Sequence, residues 1–188
     1  MSTEQIAQAK LWQGKLVRLT ARDIETNLAL DVRWERDSAF HRLASGDPAY
    51  PLTTNQARKY YESRGPNSFP FAICTLSDDC TIGYIGMWVA SWASGEAWVG
   101  IGIGERDYWG KGYGTDAMRV ILRYAFTELN LYRVSLAALG SNARAIRSYE
   151  KCGFVLEGRT RDAARYDGQY CDEVYMGILR DEWLKVNA

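Results

Sequence analysis

Hydrophobic and polar positions change period several times along the chain, and each change marks an element. Lys15 to Thr20 (KLVRLT) alternates apolar and polar residues, as a half-buried strand does. Asp23 then stands as a helix cap, and Ile24, Leu28 and Val32 recur at helical spacing along one face. Asp47 to Thr54 (DPAYPLTT) reads as loop, and Thr53 or Thr54 opens a polar helix ending near Arg64 and Gly65, ahead of Pro66. Three β-rich runs follow, Phe69 to Leu76, Ile82 to Trp92 and Ala97 to Ile103. The turn signals SDDC and ASGE divide them, which predicts an antiparallel meander. The period then becomes helical through Ala117, Ile121, Tyr124 and Leu129, directly after a run of glycines. A strand over Tyr132 to Leu139, a helix from about Asn142 to Lys151, and strands over Phe154 to Arg161 and Tyr170 to Leu179 complete the order. Strands grouped around two central helices predict an α+β domain.

Composition fixes the class. With 188 residues, 47% of them hydrophobic and 24% charged, the chain fits one core and one domain over 1–188, residues 1–12 being flexible or peripheral. The four prolines are scattered through loops and no linker divides the sequence. Cys74, Cys80, Cys152 and Cys171 form no C-x-x-C pair and His41 is the lone histidine, so reduced thiols and no metal are expected. His41 itself reads as a surface or loop residue without a catalytic role. The start, MSTEQIAQAK, lacks the apolar stretch of a secretory signal and no run approaches the roughly 18 apolar residues of a membrane span, so a cytoplasmic protein with no membrane partner is expected. Lys plus Arg (23) equals Asp plus Glu (23), which removes the bulk positive field that nucleic-acid binding requires.

The glycines carry the first candidate chemistry. Gly110, Gly112 and Gly114 alternate immediately before a helix, where they permit tight turning and let backbone N–H groups approach an anion. Unpaired first-turn donors and the helix dipole would hold a pyrophosphate, with Lys111 adding one charge. A plainer reading makes the glycines a tight strand-to-helix connection. A third reading is the dinucleotide fingerprint G-x-G-x-x-A, which Gly112 to Ala117 matches. That fingerprint needs an acidic residue about 20 positions on, at the end of the next strand, and that strand ends Ala137-Ala138-Leu139. A Walker-type loop is absent.

Three blocks carry a resemblance: ERDYWGKGYGTDAM at Glu105 to Met118, NARAIRSYEKCGF at Asn142 to Phe154, and GRTRDAARYDGQYCDEVYMGIL at Gly158 to Leu179. From about Gly83 onward the chain resembles the GNAT superfamily of N-acetyltransferases, in the branch with ribosomal-protein N-terminal and spermidine acetyltransferases. Trp109 stands where the common form of the glycine loop has Gln or Arg. The resemblance implies a mixed, mostly antiparallel sheet flanked by helices, with strands Ala97 to Ile103 and Tyr132 to Leu139 splayed to admit a pantetheine arm. It implies acetyl-CoA as cosubstrate, bound by Ile101, Gly102 and Ile103, by the loop residues Trp109, Gly110, Lys111, Gly112, Tyr113, Gly114 and Thr115, and by Asn142, Ala145 and Tyr149. Asn142 is also a natural helix N-cap.

The same resemblance makes Tyr149 the general acid, since a phenol with a pKa near 10 keeps its proton at neutral pH. Glu96 is the candidate base, with an exposed turn glutamate as the plainer reading. A backbone N–H of Ile101 or Ile103 polarises the acetyl carbonyl if Gly100, Gly102 and Gly104 let the strand bulge. Trp88, Trp92 and Trp98 either line an acceptor pocket or pack a sheet face, packing being the more common role. The expected reaction moves acetyl to a primary amine by direct attack in a ternary complex, the acceptor being a protein N-terminus or a small-molecule amine such as a polyamine. An acetyl-CoA-binding module without turnover is the alternative, and a homo-oligomer, in the first instance a dimer, is a further expected partner. Glu35, Asp37, Asp78 and Asp79 hint faintly at a polyamine.

Overall fold

The computed structural model describes residues 10–45 and 47–187. Strand β1 (Val17–Ala21) is followed by helices α1 (Ile24–Glu35), α2 (Ser38–Ala44) and α3 (Thr54–Glu62), and then by β2 (Ser68–Thr75), β3 (Thr81–Ser91) and β4 (Glu96–Ile103). After a short 3₁₀ turn come α4 (Tyr113–Thr127), β5 (Arg133–Leu139), α5 (Ala143–Glu150), β6 (Val155–Tyr166), β7 (Gln169–Leu179) and α6 (Arg180–Asn187). The strands form one sheet in the order β1-β2-β3-β4-β5-β7-β6, antiparallel throughout except for the β4–β5 pair. The mixed, mostly antiparallel α+β architecture is the one the sequence leads to.

Local chemistry explains most boundaries. The Asp23 side chain accepts from the N–H groups of Glu25 and Thr26, and Thr53 closes a reciprocal capping box with Gln56. Asp37 caps α2, a helix the apolar pattern leaves out because seven residues complete barely two turns. Helix α6 likewise escapes, following β7 without a break. The last hairpin turns through Asp167 and Gly168, both at positive φ (50° and 81°), as a two-residue Asp-Gly turn does. Residues 1–9 of the expected peripheral segment lie outside the described residues. Its end is tied down: Arg123 donates to the carbonyls of Lys10, Leu11 and Gln13 at 2.8–2.9 Å, and Trp12 packs against Phe71 and Tyr124.

One face of the sheet buries Ile73, Ile85, Met87 and Leu136 against α4, whose Met118, Ile121 and Leu122 are fully enclosed. Burial contributes roughly 1.5–3 kcal/mol per such side chain to this docking. The opposite face of β3 and β4 lies under α1 to α3, which hold a smaller cluster of Leu28, Val32, Ala57 and Tyr61. Trp88 and Trp92 fall on exposed ground (56% and 51% accessible), so these two tryptophans do not pack the core. His41 also departs from expectation, being a buried residue of α2 whose ring nitrogens lie within hydrogen-bond distance of the Glu35 carboxylate and the Asp47 carbonyl.

Two departures from regular pairing position the site. Strands β4 and β5 pair only over Glu96 to Trp98 against Arg133 to Ser135, while β5 continues along β7 to Leu139, so the two central strands part beyond Trp98. The expected bulge at Gly100 to Gly104 is absent: β3 and β4 keep register from Gly83↔Ile103 to Val89↔Ala97, and the shift lies between Val89 and Ser91. The glycines answer to close approach instead. A Cβ on Gly102 would stand 2.7 Å from Phe40 Cζ, and one on Gly104 would overlap the Trp34 indole. No helix among the described residues is long and apolar enough to cross a membrane.

Candidate active site

The chain leaves β4 through the 3₁₀ turn Arg106–Tyr108, passes Trp109 and enters α4 at Gly112. Gly110 and Gly112 sit at φ 73° and 91°, a region other residues rarely adopt, and that geometry turns the backbone into the helix. Gly112 caps α4 without a side chain, and the first intrahelical bond runs from Asp116 N–H to Gly112 C=O at 2.9 Å. The amides of Tyr113, Gly114 and Thr115 therefore have no partner within the helix. Asp116, an anion that would oppose another at this terminus, turns into the protein and accepts from the N–H groups of Lys15, Leu16 and Val17 at 2.7–3.1 Å. The open end of the helix is left electropositive.

Helix α5 forms the facing wall. Asn142 caps it by accepting from Ala145 N–H at 3.2 Å, and Thr115 and Ser148 join the two helices hydroxyl to hydroxyl at 2.7 Å. The Trp109 indole donates to the Ile103 carbonyl at 2.6 Å, and the Arg144 guanidinium stacks 4.1 Å above its ring. Trp109 thus bridges the end of β4 to α5.

These walls enclose a cleft of about 300 Å³. Of the residues expected to hold a cofactor, all but Lys111 and Tyr113 line it. Lys111 is exposed, and the Tyr113 ring packs edge-on against Tyr108. Sequence reasoning missed Arg144, Arg147 and Lys151, which line the same cleft. Their spacing of three and four places on one helix face was the available signal. Tyr149 reaches the cleft with its ring against Phe154, and burial, reinforced by Cys152 and opposed by Arg144, pushes its phenol up to about 12. Burial likewise raises the nearby Cys152 thiol to about 11, which keeps it from serving as a thiolate nucleophile.

A second cavity, of about 530 Å³, opens beside the first between the sheet and α1 to α3. Trp88, Trp98 and Gly100 form its floor, and Tyr50, Tyr60 and Tyr61 contribute to its walls. Two carboxylates in it are already engaged. Asp31 pairs with Arg22 at 2.8 Å and accepts from the Tyr61 hydroxyl, while Glu35 meets His41 Nδ1 at 2.6 Å and the Tyr84 hydroxyl at 2.9 Å. His41 Nε2 faces the Asp47 carbonyl at 3.2 Å. Burial and then the charge of Glu35 raise the Tyr84 phenol well above its usual range. Glu96 lines neither cavity; it begins β4 at the paired end, 3.9 Å from Arg133.

The cavities share Ala44 and Ile101. The Gly104 N–H donates to the Ile82 carbonyl at 2.9 Å, which sets the phase of the ladder. Gly102 and Gly100 turn their backbone groups to β3, and Ile103 and Ile101 turn theirs toward the gap where β5 has parted. A strip of main-chain donors and acceptors without a strand partner therefore runs between the two cavities.

The sequence model of the acetyltransferase (GNAT) domain family matches residues 15–155. The chain belongs to the GNAT acetyltransferase family. It is 31% identical over 138 residues to the uncharacterized N-acetyltransferase YnaD of Bacillus subtilis (strain 168), covering 72% of this chain and 79% of that one. It is 37% identical over 78 residues to the spermidine N(1)-acetyltransferase of Escherichia coli (strain K12), covering 42% of each. Among solved structures, the spermidine N-acetyltransferase from Vibrio cholerae in complex with CoA and spermine has the same fold, with a TM-score of 0.79 at 23% identity over 89% of this chain and 96% of that one.

GNAT acetyltransferases use acetyl-CoA, and the cleft fits its parts. The α4 amides and Arg144, Arg147 and Lys151 suit phosphate oxygens, and the open β4 edge suits the amides of a pantetheine arm. The described residues hold no cluster of three or more His, Cys, Asp or Glu side chains placed for a metal ion.

Proposed function

We propose that this GNAT chain transfers acetyl from acetyl-CoA to a primary amine by direct attack in a ternary complex, the amine entering through the 530 Å³ cavity. The observation that carries the proposal is the junction at Ile101 and Ala44, where the cavity meets the cleft along the unpaired edge of β4. Acetyl-CoA supplies an activated acetyl thioester at that junction. The protein supplies position and charge.

Backbone N–H groups of Ile101 or Ile103 face the gap and serve as donors to a carbonyl oxygen that gains charge. The Tyr149 hydroxyl is the cleft's proton donor for a departing thiolate, and its raised pKa keeps it protonated throughout the neutral range. Glu96 stands at the far end of β4, outside both cavities, and takes no part in this transfer. An α-amine with a pKa near 8 is already about 10% neutral at pH 7, so positioning suffices for such acceptors. The related spermidine acetyltransferases support a small-molecule amine.

A thiol-release assay with acetyl-CoA tests the reading against spermidine, aminoglycosides, amino acids and short peptides beginning with Ala, Ser or Thr. At least one amine is expected to raise release above background hydrolysis. Tyr149→Phe is expected to lower kcat by about 10²-fold or more while the Kd for acetyl-CoA stays within about threefold. Tight acetyl-CoA binding with no amine-dependent release would favour a binding module instead.

A further inference from the structure

The two interior carboxylates of the acceptor cavity, Asp31 and Glu35, have charged or polar protein partners, and its Arg64 guanidinium has no ion-pair partner among the described residues. Asp31 accepts from Arg22 and Tyr61 at Oδ2, while its Oδ1 stands 2.8 Å from Arg22 Nη2 as an ion pair without a hydrogen bond; Glu35 lies against His41 and Tyr84. Asp47, the remaining acidic lining residue, is exposed at the rim. Arg64 differs. It lines the same cavity just past the end of α3, forms no ion pair, and its Nη1 is buried without a hydrogen-bond partner among the described residues. The rings of Tyr61 and Tyr60 lie 4.4 and 5.3 Å from the guanidinium, which holds its face and leaves the in-plane N–H groups to find acceptors.

Nearby charge adds to the imbalance. Arg22 and Arg64 flank the single carboxylate of Asp31, and burial together with the charge of Arg22 holds the Arg64 guanidinium below its usual range. A buried guanidinium N–H without an acceptor is costly, and the cost is relieved when a ligand brings an anionic oxygen. A polyamine would have to compete for Asp31 and Glu35 with the protein groups already against them, which leaves it the exposed Asp47 at the rim.

We infer that the acceptor is a primary amine that also carries a carboxylate, an amino acid or short peptide, with Arg64 reading the carboxylate and the cavity's tyrosines and tryptophans holding its apolar body. The inference rests on the acetyl-transfer reading for the use of this cavity. The carboxylate takes up the in-plane N–H groups of Arg64 as a charge-assisted pair, while the amine points along the floor past Trp98 and Gly100 to Ile101. Arg64 is then a specificity residue and does not touch the reacting atoms.

Phenylalanine and alanyl-phenylalanine, each compared with its C-terminal amide and with spermidine, test this on the full chain loaded with CoA. Quenching of the cavity tryptophans reports binding, and thiol release from acetyl-CoA is measured in parallel. At least one free acid is expected to bind about tenfold or more tightly than its amide and more tightly than spermidine. Arg64→Met is expected to remove that preference while leaving amide binding within about twofold, and Arg64→Lys to keep part of it. Equal binding of acid and amide by the unaltered protein, tighter binding of spermidine, or a preference that survives Arg64→Met would each overturn the inference. The wild-type comparison decides the matter even if the variant fails to fold. Preferential acid binding without thiol release would sink the catalytic reading and leave the ligand class standing. Efficient release with spermidine alone would do the opposite.

Discussion

Tyr149 shows how environment sets the use of a side chain. Its phenol is raised to about 12 from an ordinary 10, so the folded protein holds that proton more firmly than the unfolded chain does. Activity that depends on the protonated phenol should persist through pH 10 and fall only as the pH approaches 12. The stability that comes with the raised value is fully present below pH 10 and is lost between pH 10 and 12, and Tyr149→Phe should flatten that part of the stability profile. A pH series of single-turnover rates and of urea midpoints measures both. Asp116 makes the complementary case for structure. Its carboxylate satisfies three amides at the start of β1, so Asp116→Ala should cost about 2 kcal/mol or more in chemical denaturation. The tight glycine turn into α4 and the Asn142 cap could be read from residues adjacent in the chain, whereas Tyr149 stood out only through the resemblance to the GNAT family. The Asp31–Arg22–Tyr61 and Glu35–His41–Tyr84 groups were not legible in the sequence, since each assembles from separate elements, and a histidine flanked by partners six residues away on either side looks like any surface histidine until α2 folds.

The β4 strand tells apart three glycines that look alike in sequence. Gly104→Ala would drive a methyl group into the buried Trp34 indole, and Gly102→Ala would press on Phe40 and Tyr84, so each should lose about 1–3 kcal/mol in urea unfolding. A Cβ on Gly100 meets nothing within 4 Å, so Gly100→Ala should change stability by less than about 0.5 kcal/mol while shifting acceptor KM, because that methyl group enters the cavity floor. Gly112→Ala meets a different constraint. Its φ of 91° is strained for alanine, and both stability and acetyl-CoA affinity should fall together. Strands and long helices announced themselves through periodicity, whereas the short α2, which closes one side of both cavities through Ala44, had too few turns to show one.

The whole molecule makes its site by failing to pair two strands. Strand β7 inserts between β5 and β6, which keeps β5 bonded along one edge while its other edge departs from β4 beyond Trp98. No local pattern encodes that parting; it was anticipated only through resemblance to the GNAT family. The consequence is an open β4 edge with a phosphate-ready helix end on one side and an aromatic, charged cavity on the other, meeting at Ile101. Among the described residues, the two shared by the cavities, Ala44 and Ile101, offer no nucleophile to carry the acetyl group, and the Cys152 thiol, turned toward the Thr115 carbonyl and raised to about 11, is unsuited to do so. The most direct measurement is rapid-quench mixing of the protein with acetyl-CoA, with and without a competent amine, alongside initial rates over both substrates. The structure predicts no CoA release beyond background until amine is present, and intersecting double-reciprocal lines. A burst of CoA equal to the protein concentration without amine, or parallel lines, would contradict direct transfer across the β4 edge.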